Sequence, residues 1–199
     1  MTQRVRQLTL EEVGELHGLP AEVVARLTNY LELLLKWAKK INITGAKNAE
    51  ALVNQHINDC LFLLPLLEPG RQIDVGAGGG FPSLVIACCE PERDITAVEP
   101  THKKIAFLQT ARRHLGLDNF TPVAKRVEDL AASELEFDLA TSRATWALPH
   151  WLDVGSKLVR PGGLVLAMEG SEVHQLPYSV DRHSYELLDR TRSIVARRV

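Results

Sequence analysis

The run Ile73-Asp74-Val75-Gly76-Ala77-Gly78-Gly79-Gly80-Phe81-Pro82 constrains this chain more than any other stretch. A short β-branched segment passes directly into glycines at the alternate positions 76, 78 and 80, and Pro82 is placed to open a helix. Glycine turns at positive φ without steric penalty and lets a ligand lie close to the main chain. The helix that follows offers unpaired N–H groups and the positive end of its dipole. Strand, glycine turn and helix in that order describe the carboxyl end of a first parallel strand, where α/β proteins bind nucleotide-like ligands.

Spacing narrows the ligand. A dinucleotide fingerprint reads G-x-G-x-x-G, and here Phe81 stands where its last glycine belongs. The pattern G-x-G-x-G instead resembles the S-adenosylmethionine loop of Rossmann-like methyltransferases. Asp94-Ile95-Thr96-Ala97-Val98-Glu99 then reads as a second strand ending in an acid, 23 residues after Gly76. A carboxylate there can accept hydrogen bonds from both hydroxyls of a ribose. The plainer alternative is that Glu99 only starts a turn before Pro100.

The 199 residues provide for one full α/β domain with length to spare. A net charge of −2 counts against a chain that is basic throughout, so any nucleic-acid contact must come from local patches. Arg4, Arg6, Arg190, Arg192, Arg197 and Arg198 are locally basic. Cys60, Cys88 and Cys89 lack metal-ligand spacing and are expected to be reduced core residues, with no metal bound. Met1 to Arg6 lacks an apolar signal core, and Leu61 to Leu67 is too short to span a bilayer. A cytoplasmic protein without a membrane partner is expected.

Residues 1–69 predict a helical extension and residues 70–199 the core domain. Thr9 with Glu12 fits a capping box. Pro20 opens a longer helix with apolar positions Val23, Leu27, Leu31, Leu34 and Ala38, predicted to end near Asn42. Asn48 is placed to cap a third helix through Leu64. From Gln72 onward strands alternate with helices, which predicts a mostly parallel sheet. The expected strands are Gln72 to Val75, Asp94 to Glu99, Phe120 to Ala124, Phe137 to Thr141 and Leu164 to Met168. Helices are predicted for Thr101 to Leu115, stopped by Gly116, and for Trp146 to Leu158. Pro161-Gly162-Gly163 is a turn, and Tyr185 to Leu188 with Ser193 to Arg198 forms a closing hairpin. The helix before this hairpin is cut to about one turn, Glu172 to Gln175.

Several segments together resemble the RsmG (GidB) family, the bacterial guanine-N7 methyltransferases of 16S ribosomal RNA. They are Trp37-Ala38-Lys39-Lys40-Ile41-Asn42-Ile43-Thr44, His56-Ile57-Asn58-Asp59, the glycine run, Lys103-Lys104-Ile105-Ala106-Phe107-Leu108, Arg126-Val127-Glu128 and Ser142-Arg143-Ala144. Order and spacing hold over Leu31 to Met168. The resemblance implies a Rossmann-like class I methyltransferase, α/β with a mostly parallel seven-stranded sheet and an N-terminal helical extension. It also implies S-adenosylmethionine as methyl donor and methylation of N7 of guanine 527 in 16S rRNA. The implied partner is 16S rRNA or the small ribosomal subunit; no DNA partner is expected, and the protein is expected to be a monomer.

By the resemblance, cofactor contacts fall on Gly76, Phe81, Val127, Glu128 and Arg143. The residues themselves add Gly78, Gly80 and Glu99. Arg143 and Arg126 are the candidates for catalysis, since a guanidinium can bind a carboxylate or a phosphate; a surface salt bridge is the alternative for each. Lys103, Arg126, Arg143, Arg197 and Arg198 are candidate RNA contacts, and Trp146 and Phe81 candidate stacking faces for a base. His56 and Asp59 share a helix face at i, i+3, where a packing hydrogen bond competes with a catalytic reading. Departures from the family are Phe81 for a usual leucine, Glu99 for a common aspartate and Glu169-Gly170 where a lysine commonly precedes the glycine. A methyltransferase acting on a small molecule or protein is the rival enzyme, and a non-catalytic S-adenosylmethionine-binding factor of ribosome assembly the rival from another class. The missing last glycine argues against a nicotinamide oxidoreductase.

Overall fold

The structure is a computed structural model that describes residues 6–46, 48–131, 136–143, 146–170 and 173–199. Seven strands form one sheet in the order β3-β2-β1-β4-β5-β7-β6. They are β1 (Gln72–Val75), β2 (Ile95–Val98), β3 (Phe120–Val123), β4 (Phe137–Ser142), β5 (Val159–Glu169), β6 (Asp181–Leu187) and β7 (Arg190–Arg198). The first five pair in parallel, and β7 is antiparallel to both β5 and β6. The chain moves outward from β1 through β2 to β3, then returns to β4 on the other side. This makes the carboxyl ends of β1 and β4 a topological switch point, the crevice where such sheets bind ligands.

Helices are α1 (Leu10–Leu16), α2 (Ala21–Ala38), α3 (Ala49–Leu52), α4 (Asn58–Leu61), α5 (Ser83–Cys89), α6 (His102–Leu115) and α7 (Leu148–Gly155). The Thr9–Glu12 capping box forms in both directions, Asn48 caps α3 through the Ala51 N–H, and Gly116 ends α6 at φ 63°. Strand alternation divides the core. Leu139, Leu164 and Leu166 face one side with α2, α5 and α6, while Ile73, Val75, Ala140 and Val165 face α7 on the other. The N-terminal helices share the first of these clusters with the sheet. Among the described residues no helix is long and apolar enough to cross a membrane.

Several elements depart from the sequence expectation. Helix α2 stops at Ala38 rather than near Asn42, because the Lys40 and Ile41 N–H groups both turn back onto the Trp37 carbonyl. Between α3 and α4 the helix widens into a π-turn, Val53–Ile57, which keeps the chain helical while rotating the residues that follow. Strand β5 begins at Val159, and the Pro161-Gly162-Gly163 turn is an excursion within its ladder. The pairing jumps from Phe137 with Val159 to Leu139 with Leu164. Helix α7 starts two residues later than expected, at Leu148. The closing hairpin is longer than expected and turns at Leu188 and Asp189, both at positive φ. Described residues 173–180 contain no helix, and Glu172 lies outside the described residues.

Candidate functional site

The glycine loop leaves β1 with Gly76, Gly78 and Gly80 at φ 75°, 55° and 93°, whereas Gly79 between them is not in the left-handed region. The alternate spacing in the sequence is thus the spacing of the positive-φ positions. At Gly80 a side chain is also excluded by space, since a Cβ would lie 2.3 Å from Leu84 Cδ1. The loop is anchored from two sides. Glu99, just beyond β2 and 4% exposed, accepts the Gly78 N–H on Oε2 at 3.0 Å and the Thr101 N–H on Oε1 at 2.8 Å. Tyr30 of α2, fully buried, donates its hydroxyl to the Gly79 carbonyl at 2.6 Å. No periodic pattern marks Tyr30 as a loop anchor; its partner lies 49 positions away.

Gly76, Arg126, Val127, Glu128 and Trp146 border one cleft of about 140 Å³ at the carboxyl edge of the sheet. Val127 is buried while Arg126 and Glu128 are exposed. Gly78 and Glu99 are joined to this cleft through the loop. Gly80 does not border it but packs against Leu84.

Phe81 and Arg143 lie in an adjoining, largely buried cluster. The Arg143 guanidinium sits 5.7 Å from the centre of the Phe81 ring, and the His56 ring stacks on Phe81 at 5.0 Å. Arg143 reaches His56 Nδ1 at 2.7 Å, the Gln55 carbonyl at 2.9 Å and Asp59 Oδ2 at 3.2 Å. Burial, then the Arg143 and Arg192 charges, push the His56 pKa down to about 4. Its neutral Nδ1 can therefore accept the guanidinium N–H. The π-turn and the start of α4 place Gln55, His56 and Asp59 together at this spot. Asp59, 1% exposed, also accepts the Tyr185 hydroxyl at 2.7 Å and Arg192 at 3.0 Å. One carboxylate thus ties the N-terminal helices to the loop after β4 and to the closing hairpin. His56 and Asp59 serve as partners of Arg143 here, and Ala144 lies outside the described residues.

The C-terminal arginines fall elsewhere. Because β7 runs antiparallel to β5, Arg197 and Arg198 pair with Val165 and Leu164, toward the amino edge of the sheet. Arg197 binds Asp153 at 3.0 Å and lies 3.8 Å over the Tyr178 ring; Arg198 pairs with Glu68, just before β1. They stand across the sheet from the glycine loop, apart from the other candidate RNA contacts. Exposed Lys103 and Arg126 remain on the carboxyl edge. Glu169 is turned inward, with its side chain 1% exposed. The three cysteines are free; Cys60 and Cys88 lie in the core as expected, Cys89 is half-buried beside it, and burial raises all three thiols above the ordinary range.

Comparison with known proteins places this arrangement. Residues 23–190 match the family model of rRNA small subunit methyltransferase G, GidB. The ribosomal RNA small subunit methyltransferase G of Psychrobacter sp. strain PRwf-1 is 38% identical over 165 residues, 82% of this chain and 73% of that one. The protein of the same name from Neisseria meningitidis serogroup C strain 053442 is 39% identical over 169 residues, 82% of this chain and 81% of its own. Among solved structures, a SAM-dependent methyltransferase of Aquifex aeolicus aligns with a TM-score of 0.56 at 14% identity, covering 82% of this chain and 97% of that one. A precorrin-6y C5,15-methyltransferase of Geobacter metallireducens aligns at 0.52, also at 14% identity, over 70% and 85%. At such identities these structures speak for the Rossmann-like methyltransferase fold. The match over most of the sequence, with relatives of this closeness, goes further: the chain belongs to the rRNA small subunit methyltransferase G family.

Proposed function

We infer that the protein transfers a methyl group from S-adenosylmethionine to N7 of a guanine in 16S rRNA, in free RNA or in the small subunit. The family match carries this reading, and the carboxyl edge of the sheet supports it. Each Glu99 oxygen accepts one main-chain N–H and retains a lone pair, which suits the two hydroxyls of a ribose. A Cβ at Gly78 would meet only the Gly76 carbonyl at 3.7 Å, so a ligand can approach the loop closely. The cleft bordered by Val127 and Glu128 suits the adenine, and Arg143, beside Phe81 and paired with Asp59, is the candidate to meet an anionic group of donor or RNA. The bound donor supplies an electrophilic methyl group.

Guanine N7 has an in-plane lone pair in its neutral state and needs no prior deprotonation. The protein's contribution is then to align acceptor and methyl and to keep water out, where proximity and orientation supply most of the rate. Lys103 and Arg126 on the same edge suit phosphate contact.

Transfer of labelled methyl from S-adenosylmethionine to purified 16S rRNA, small subunits, total protein and small molecules tests the reading. Label in 16S rRNA or the subunit is expected. Label confined to protein or small molecules would favour the rival enzyme, and cofactor binding without any transfer would favour an assembly factor.

A further inference from the structure

A second cavity, of about 250 Å³, opens beside the cleft at Gly76, and Trp146 borders both. It lies over the carboxyl ends of β4 and β5, with Ser142, Glu169 and His174 in its wall. The Trp146 ring is stacked with Trp151 at 6.1 Å and an interplanar angle of 9°, which fixes the plane it presents.

The chemistry of this cavity centres on Glu169. Its Oε1 accepts the His174 main-chain N–H at 2.8 Å and meets His174 Nδ1 at 3.0 Å; its Oε2 accepts from Arg182 Nε and the Ser193 hydroxyl, both at 3.1 Å. Burial alone would raise this carboxyl, but the hydrogen bonds from His174, Arg182 and Ser193 outweigh it and hold it below the ordinary range. An ionised carboxylate can only accept, so Nδ1 carries the proton of this contact. In the neutral ring Nε2 is then a bare acceptor, and it makes no hydrogen bond among the described residues.

We propose that this cavity receives the acceptor base against Trp146, and that His174 Nε2 accepts a hydrogen bond from the base's N1–H, with Glu169 as a positioning residue that fixes the imidazole. The inference rests on the methyltransferase reading above and adds the group that would recognise a purine carrying a ring N–H. As guanine N7 takes the methyl, the N7–carbon bond forms and the carbon–sulfur bond breaks. The donor leaves as a neutral thioether, and its positive charge passes to the purine ring. That charge makes N1–H more acidic, so its bond to Nε2 strengthens as the reaction proceeds. An interaction stronger in the transition state than in the ground state raises the rate of the chemical step. No proton has to leave first.

The test is single-turnover methylation of 16S rRNA by the full chain carrying His174→Ala, His174→Gln or Glu169→Gln. Thermal midpoint and S-adenosylhomocysteine affinity are measured on each variant. His174→Ala is expected to lower the rate at saturating RNA roughly ten- to hundredfold, the worth of a hydrogen bond to a charged group. The midpoint should fall slightly, because Glu169 loses one side-chain partner but keeps Arg182, Ser193 and the residue 174 main-chain N–H, and S-adenosylhomocysteine affinity should stay unchanged. His174→Gln retains an oxygen acceptor and should recover much of the rate. The His174 variants decide the matter, because Glu169 also anchors β6 and β7. A His174→Ala rate equal to wild type overturns the proposal, and so does an equal loss in His174→Ala and His174→Gln. Failure of the wild type to methylate rRNA at all would instead overturn the reading on which the proposal rests.

Discussion

Asp74 offers the sharpest test of how a buried carboxyl is carried in β1, just before the glycine loop. It is 0% exposed on the α5-facing side of β1, where Oδ1 accepts the Thr141 hydroxyl at 3.1 Å. Ser83 lies near enough to lower its pKa, yet neither Asp74 Oδ2 nor Ser83 Oγ completes a hydrogen bond. Burial dominates and raises the carboxyl from 3.8 to about 6. A raised carboxyl favours the protonated form in the folded chain. Its stabilising contribution is therefore complete below pH 3.8 and lost as pH rises through about 6. A shift of about two units corresponds to about 3 kcal/mol. Asp74→Asn keeps an acceptor for Thr141, places a donor where Oδ2 has none, and abolishes the titration. Relative to wild type, the variant should gain about 3 kcal/mol between pH 4 and pH 7. The assay is urea unfolding of both proteins across that range, with the two stability curves subtracted. Subtraction is needed because His56, pushed down to about 4, acts in the opposite sense: its contribution is lost as pH falls from 6.5. Both proteins share that term. A difference curve flat to within about 0.5 kcal/mol would refute the argument, since independent sites add to that accuracy.

Other perturbations separate the roles at the carboxyl edge. Glu99→Ala should weaken S-adenosylmethionine binding by about 1.5–3 kcal/mol in calorimetry, the range for hydrogen bonds to a charged group; unchanged affinity would remove Glu99 from the ribose site. Arg143→Ala should lower methyl transfer at least about tenfold and cost about 1.5–3 kcal/mol in urea unfolding, because Asp59 loses one charged partner but keeps Arg192 and Tyr185; full activity would reduce Arg143 to a structural link. Lys103→Glu should weaken RNA binding and flatten its dependence on salt, whereas Arg197→Glu with Arg198→Glu should leave the salt slope unchanged. A flattened slope in the C-terminal double variant would show that RNA reaches the amino edge of the sheet.

Local rules carried much of the fold. The Thr9–Glu12 box, the Asn48 cap, the Gly116 stop and β1 were legible because each depends on residues a few positions apart. The π-turn was not, since the run through Val53, His56 and Ile57 has no residue that forbids an ordinary helix. The hairpin turn at Leu188-Asp189 was hidden because primed turns are signalled by Asn-Gly or Asp-Gly, and leucine rarely adopts φ 53°. At the site, the alternate glycines and the acid after β2 announced themselves by spacing. The partners of Asp59 did not: Tyr185 and Arg192 lie 126 and 133 positions away, and only the fold joins them. The same holds for Glu169, whose meaning depends on His174, Arg182 and Ser193 arriving from three segments. The C-terminal arginines show the converse limit. Charge was visible in the sequence, but the direction of β7, which carries it to the far edge, was not.

The central claim is methylation of guanine N7 in 16S rRNA, and mass mapping of modified nucleosides tests it most directly. 16S rRNA is isolated from cells with and without an intact gene for this protein, digested, and scanned for 7-methylguanosine. One 7-methylguanosine is expected to disappear in cells lacking the gene and to return when the wild-type chain is supplied, but not with the Arg143→Ala variant. An identical 7-methylguanosine map in both RNAs, or loss of a methyl group from a different atom or molecule, would contradict it.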